Sequence, residues 1–165
     1  MADDAIVFTV RYDRRLCLVT AWRYWQRRLG TRYALELAIG SGLIVLAAQG
    51  PYRWIEVALW IAVGVFAVLG AGLFVIHWRR AVWGLEILDP PESTWVLSPE
   101  TISQRSSLGE SAIGWNGVME LWRFPEVWIF IWGRDVYSTI PVAQFPLEAR
   151  QFAERRVRDT GGRVR

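Results

Sequence analysis

The chain has 165 residues, 53% of them hydrophobic and 14% aromatic, with 11 Trp and a formal net charge of +3. That length allows about one domain on a prior of roughly 100 to 200 residues each, and a composition this apolar fits a small membrane protein. All 19 basic residues are Arg, which excludes Lys-based chemistry such as a Schiff base or a phosphate-loop lysine. The lone Cys17 excludes an intramolecular disulfide and a Cys-based metal cluster.

The opening MADDAIVFTVRYDRR places acidic residues first and has no long apolar core before its Arg cluster, so it does not read as a cleavable signal peptide. A strand-like piece comes first. Residues 13–29 then set Leu16, Val19, Trp22, Trp25 and Leu29 at helical spacing. Arg and Trp together on such a helix predict an interfacial arm on the anionic leaflet, with Arg15, Trp22, Arg23, Trp25 and Arg27 as candidate membrane-surface contacts.

Residues 54–78, WIEVALWIAVGVFAVLGAGLFVIHW, exceed a hydrocarbon core of about 30 Å at about 1.5 Å per residue, which predicts a tilted membrane span. Residues 33–48 are shorter and carry Glu36. The turn signal Gly50-Pro51 between the two segments predicts a helical hairpin. Seven Arg from Arg11 to Arg32 precede the first span and Arg79 and Arg80 follow the second, whereas the turn holds only Arg53. The positive-inside rule then puts both termini in the cytoplasm of a multi-pass bacterial inner-membrane protein. Small residues four apart, Ala34, Ala38 and Gly42 with Ala67 and Ala71, predict close helix packing or self-association. Glu36 and Glu56 are placed to pair locally with Arg32 and Arg53.

Beyond Arg80, strand-like pieces at 94–97, 101–105, 110–115, 118–124, 127–132 and 136–140 alternate with turns such as Ser98-Pro99-Glu100, Asn116-Gly117 and Gly133-Arg134-Asp135. The run EVWIFIWG could pass for a third span. Glu120, Arg123 and Glu126 exclude that for residues 117–133, since each mid-bilayer charge costs about 2.5–3.5 kcal/mol against gains of about 0.3–0.6 for each strong apolar residue. Phe145, Ala149, Phe152 and Ala153 then predict a closing amphipathic helix, with Pro146 at its start and Gly161-Gly162 at its end.

Alternation along 127–132 gives two apolar faces. One fills a core, and the other needs a cover from the arm, the membrane or a second protein. Trp128, Phe130 and Trp132, with Trp122 on the neighbouring strand, are therefore the candidate interaction surface.

His77 is the only histidine, so no zinc site or His-based dyad is expected, and no phosphate loop or paired-carboxylate spacing occurs. From Arg79 onward eleven Arg face eleven acidic residues. The positive excess therefore sits next to the bilayer, where it reads as lipid contact rather than nucleic-acid binding.

The pieces Phe8-Thr9-Val10-Arg11-Tyr12, Leu97-Ser98-Pro99-Glu100-Thr101-Ile102, the run from Ile113 to Glu120, and Ile140-Pro141-Val142-Ala143-Gln144-Phe145, ordered around a helical hairpin, resemble the bacterial YcxB-like family. The family often has a basic residue where this chain has Val142, which weakens an anionic ligand there. The resemblance implies a membrane helical hairpin plus an α+β PH-like domain, a small antiparallel sandwich or barrel closed by a C-terminal helix, with no catalytic residues to carry over. The expected organisation is an N-terminal strand and amphipathic interfacial arm at 1–32, a two-helix transmembrane hairpin at 33–78, a cytoplasmic PH-like domain at 84–160 and a tail at 161–165. The expected function is a non-enzymatic module for protein or lipid contact, without cofactor, metal or small-molecule substrate. The alternatives are an accessory subunit of a larger membrane complex and, third, a lipid-acting enzyme. Expected partners are the bilayer and a protein, or a second copy bound through the hairpin.

Overall fold

A computed structural model describes residues 5–50, 52–133 and 136–165. Pro51 and the Arg134-Asp135 part of an expected turn lie outside the described residues, as does the side chain of Leu29. The class is mixed α+β, and the chain divides into two compact units, Met1–Thr20 with Val82–Arg165, and Ala21–Ala81.

The first unit holds two four-stranded sheets. One is an antiparallel meander of β1 (Ile6–Arg11), β2 (Glu92–Leu97), β3 (Thr101–Ser106) and β4 (Gly109–Gly114), in that spatial order. The other runs β7 (Tyr137–Pro141), β6 (Val127–Ile131), β5 (Glu120–Arg123), β8 (Arg163–Val164), with β8 parallel to β5. Strand β1 is the main departure from the expected boundaries. It pairs along its whole length with β2, Ile6 opposite Leu97 through Arg11 opposite Glu92, so it belongs to the domain and not to a separate arm. The segment expected as a tail at 161–165 forms β8 and closes the second sheet.

The inward faces meet in one core, where Phe8, Val10, Trp95, Leu97 and Ile102 come from the first sheet and Leu121, Trp128, Phe130 and Ile140 from the second. The C-terminal helix α4 (Leu147–Asp159), which follows β7 in sequence, covers this core with Ala149, Ala153 and Val157. Its end is fixed by glycine. Gly161 takes φ +85, its N–H donates to the Arg158 carbonyl at 3.1 Å, and the Gly162 N–H donates to the Val157 carbonyl at 2.8 Å. This is the left-handed closure that only glycine adopts cheaply. Added Cβ bulk on Gly162 would meet the Val118 carbonyl at 2.6 Å.

Two contacts explain sequence pieces that carry no chemistry. The Gln144 side chain accepts from the Arg11 N–H at 2.7 Å and donates to the Arg11 carbonyl at 3.2 Å, closing that end of the β1 edge. The Trp115 indole donates to the Ser98 carbonyl at 2.8 Å, and its own carbonyl accepts from the Thr160 hydroxyl at 3.2 Å, tying the β2–β3 turn to the end of α4.

The remaining helices are α1 (Arg14–Trp25), α2 (Thr31–Ala47) and α3 (Arg53–Glu86), with a π-helical turn, Gln26–Gly30, between the first two. Asp13 caps α1 by accepting from the Leu16 N–H at 2.6 Å. Arg14 pairs with Glu86 at 3.1 Å. Helix α3 is longer than the apolar stretch alone, because Arg79 and Arg80 are tolerated in an unbroken helix that continues through Trp83. It is the one helix among the described residues long and apolar enough to cross a membrane. Residues Arg14–Arg28 and Thr31–Ala47 pass the same test only as a bent pair.

Candidate interaction surfaces

The structure corrects the predicted aromatic surface. Trp128 and Phe130 lie in the core, 8% and 0% exposed, with Phe145 edge-on to Trp128 at 5.3 Å and Trp132 stacked on Phe130 at 5.9 Å. Trp132 is half-buried against the same cluster, its indole donating to the Ser138 hydroxyl at 3.0 Å. Trp122 faces the other way, because it stands opposite Ile129 while Leu121 stands opposite Phe130. That second face is buried too. Val127, Ile129 and Ile131 are 0, 0 and 5% exposed and Trp122 is 3% exposed, so the cover belongs to the same chain and none of the four is an open docking surface.

Beside Trp122 sits a partly buried carboxylate. Glu120 accepts from the Trp122 indole at 2.6 Å and pairs with Arg163 at 2.7 Å and Arg165 at 3.6 Å. Glu154 holds Arg123 at 3.0 Å and also pairs with Arg158. Both acids are engaged by neighbouring guanidinium groups, which ties β5 to the chain end and to α4 respectively. The arrangement is that of structural pairing rather than of a proton-transfer site.

Tyr12, half-buried just past the end of β1, sets its hydroxyl beside the buried Ser93 of β2. Its hydroxyl shares a hydrogen bond with Ser93 at 2.9 Å, accepts from the Trp95 indole at 3.2 Å and accepts from Gln104 at 3.4 Å. Burial pushes the phenol above its ordinary value of 10.0, against the opposing hydrogen bonds from Ser93 and Trp95. The unfolded chain therefore releases this proton first, and the fold loses stability as pH climbs from about 10 through the raised folded value. Tyr12→Phe should flatten the fall of the melting temperature above pH 10. An alkaline slope unchanged by the substitution would remove Tyr12 from that role.

The candidate membrane-surface residues of α1 lie apart from its buried positions. Its buried positions are Thr20, Ala21 and Tyr24, whereas Trp22 is exposed and Trp25 half-buried. Arg15 and Arg27 are exposed and Arg23 is half-buried. Trp22 and Trp25 stack at 5.6 Å and both meet Phe74 edge-on, at 6.0 and 6.3 Å, while Tyr24 stacks on His77 at 5.1 Å. Burial, with the Asp13 charge second, raises the pKa of the half-buried Cys17 thiol, which makes it a poor nucleophile.

Helices α2 and α3 meet at glycines outside the expected small-residue stripe. The Tyr33 hydroxyl donates to the Phe66 and Ala67 carbonyls at 3.2 and 3.0 Å, and its ring covers Gly70. A Cβ on Gly40 would lie 2.9 Å from Val63, whereas Gly42 has open space around it. Ala34, Ala38 and Ala71 are exposed. The predicted Arg32–Glu36 pair forms at 2.9 Å.

A groove of about 290 Å³ between these helices is lined by Glu36, Leu37, Gly40, Leu59, Val63 and Phe66 among others. Another of about 270 Å³ lies at the β3–β4 turn, against Gln104, Ser106, Leu108 and Ser111. No trio of metal-ligating side chains gathers among the described residues. The chain matches no protein-family model, no curated protein and no solved structure.

Proposed function

We propose that this protein is a membrane-anchored, non-enzymatic interaction module. An α2–α3 hairpin crosses the bacterial inner membrane, and a PH-like domain of the YcxB-like kind stands in the cytoplasm for contact with protein or lipid. The observation that carries the anchoring is the outer surface of α2 and α3. Leu35, Leu46, Trp60, Ile61, Val68 and Leu69 are each more than half exposed, a density of large apolar side chains that water does not tolerate over such an area. At about 1.5 Å per residue the 34 residues of α3 reach about 51 Å, enough to cross a core of about 30 Å and continue beyond it.

The PH-like reading is supported by a four-stranded meander, a second antiparallel set of three strands and a C-terminal helix over a shared core. In this reading the hairpin is an insertion between the first two strands of the domain. Orientation rests on the Arg clusters flanking the helices, against Arg53 alone in the connecting turn.

Single cysteines placed in a Cys17→Ser background test the topology. A membrane-impermeant maleimide should label Gln49→Cys from outside intact cells and Ser107→Cys only after lysis. Release of the protein by alkaline carbonate, or labelling of both sites from the same side, would overturn the hairpin.

A further inference from the structure

The first sheet ends at β4, and five of the six residues of that strand are exposed. Antiparallel strands direct the N–H and C=O of alternate residues to opposite sides. The turn bonds from the Ser98 N–H to the Thr101 carbonyl and from the Trp115 N–H to the Glu100 carbonyl fix which residues do so here. Continued through the β2–β3 and β3–β4 registers, they make β3 bond β2 through its odd residues and β4 through its even ones. Gly109, Ser111 and Ile113 therefore bond to β3, and Glu110, Ala112 and Gly114 turn their backbone groups outward. The same logic predicts an outward Arg11 on β1, where Gln144 does bind it. Among the described residues, no side chain does the same for β4.

Exposed edges of this kind are normally blunted by Lys, Pro, a bulge or a covering segment. Gly109-Glu110-Ser111-Ala112-Ile113-Gly114 has none of the first three. Its one charge, Glu110, is drawn back over the sheet toward Arg105 at 3.6 Å. We infer that this edge pairs with the same edge of a second copy of the chain, antiparallel and centred on Ala112. In that register Ala112 opposes Ala112, Glu110 opposes Gly114, and Ser111 opposes Ile113. Every outward N–H and C=O finds a partner, giving about six new hydrogen bonds by the antiparallel rule.

Self-recognition follows from the charge and size pattern. Centring on Ala112 keeps the two carboxylates apart, places each beside a glycine, and puts small residues at the axis. Ile113, 37% exposed in the isolated chain, gains a cross-strand neighbour on the inner side. The two meanders then form one continuous eight-stranded sheet. This association is independent of the hairpin and of the membrane reading.

Full-length protein in mild detergent, lacking Cys17, provides the test. Directly opposed residues of a hydrogen-bonded pair lie about 5.5 Å apart between Cα atoms, within disulfide range. Ala112→Cys should give a band of doubled mass on mild oxidation. Arg105→Cys, exposed but one strand inward, would sit about 20 Å from its counterpart, three strand spacings across and four residues along, and should stay single. Ala112→Pro removes an outward N–H and none that serves β3. It should therefore convert dimer to monomer by light scattering with an unchanged circular-dichroism spectrum; if it unfolds instead, the cysteine pair still decides. Ala112→Cys linking no better than Arg105→Cys, linking to a chain of different mass, or a parent protein monomeric throughout would each overturn the pairing.

Discussion

Phe130→Ala should lower the stability of the domain by about 3–5 kcal/mol, the usual cost of truncating a fully buried aromatic residue. The ring is 0% exposed and touches three others, with centroids 6.3 Å from Trp95, 5.9 Å from Trp132 and 6.4 Å from Phe145. These contacts join both sheets to the turn ahead of α4, so the cavity would open where relaxation is hardest. The measurement is the thermal midpoint of the full-length protein in mild detergent, followed by near-ultraviolet circular dichroism. A loss confined to partner binding, with the midpoint unmoved, would restore Phe130 to the surface role its sequence position suggests. The same reasoning applies to Trp128→Ser, whose effects on association would report unfolding rather than a lost docking face.

Gly70→Ala should separate α2 from α3. The added methyl overlaps the Tyr33 ring and hydroxyl, and that side chain is held by two backbone carbonyls of α3 and by stacking on Phe66 at 5.0 Å. Overpacking of this kind costs about 1–3 kcal/mol, and loss of an interhelical hydrogen bond in a membrane adds about 0.6 kcal/mol. The discriminating measurement is a double-mutant cycle on thermal stability in detergent. With Tyr33→Ala in place the obstacle is gone, so Gly70→Ala should then be nearly neutral. Equal destabilisation in both backgrounds would show that Gly70 acts through something other than Tyr33.

Local pattern made most of the second half of the chain legible. Alternation marks β2, whose observed burial alternates along its length, and the charges around 117–133 correctly reject a span there because three ionised groups outweigh a short apolar run. Pairings that depend on distant partners were invisible. Nothing local to FTVRY says that it joins a strand about eighty residues later, since that register is set by the fit of Phe8 and Val10 beside Trp95 and Leu97 on the same inward face. Helix rotation was equally hidden. Ala34, Ala38 and Gly42 have the right spacing for close packing, but the reach of the Tyr33 ring selects the face carrying Gly40 and Gly70. The aromatic surface was misassigned for a related reason. Two apolar faces on one strand are visible in a sequence, whereas their being covered by the same chain depends on the whole fold.

The pairing of β1 with β2 also has a meaning in time. A ribosome adding about 5–20 residues per second needs about 4–16 s to go from the end of β1 to the start of β2. Throughout that interval Phe8 and Val10 have no sheet to join, while the most apolar stretch of the chain is being made and delivered to its environment. The nascent protein therefore has to keep its first strand unpaired and out of aggregates until the helices have been placed. Assembly of the domain becomes a late event, gated by completion of everything between its first two strands.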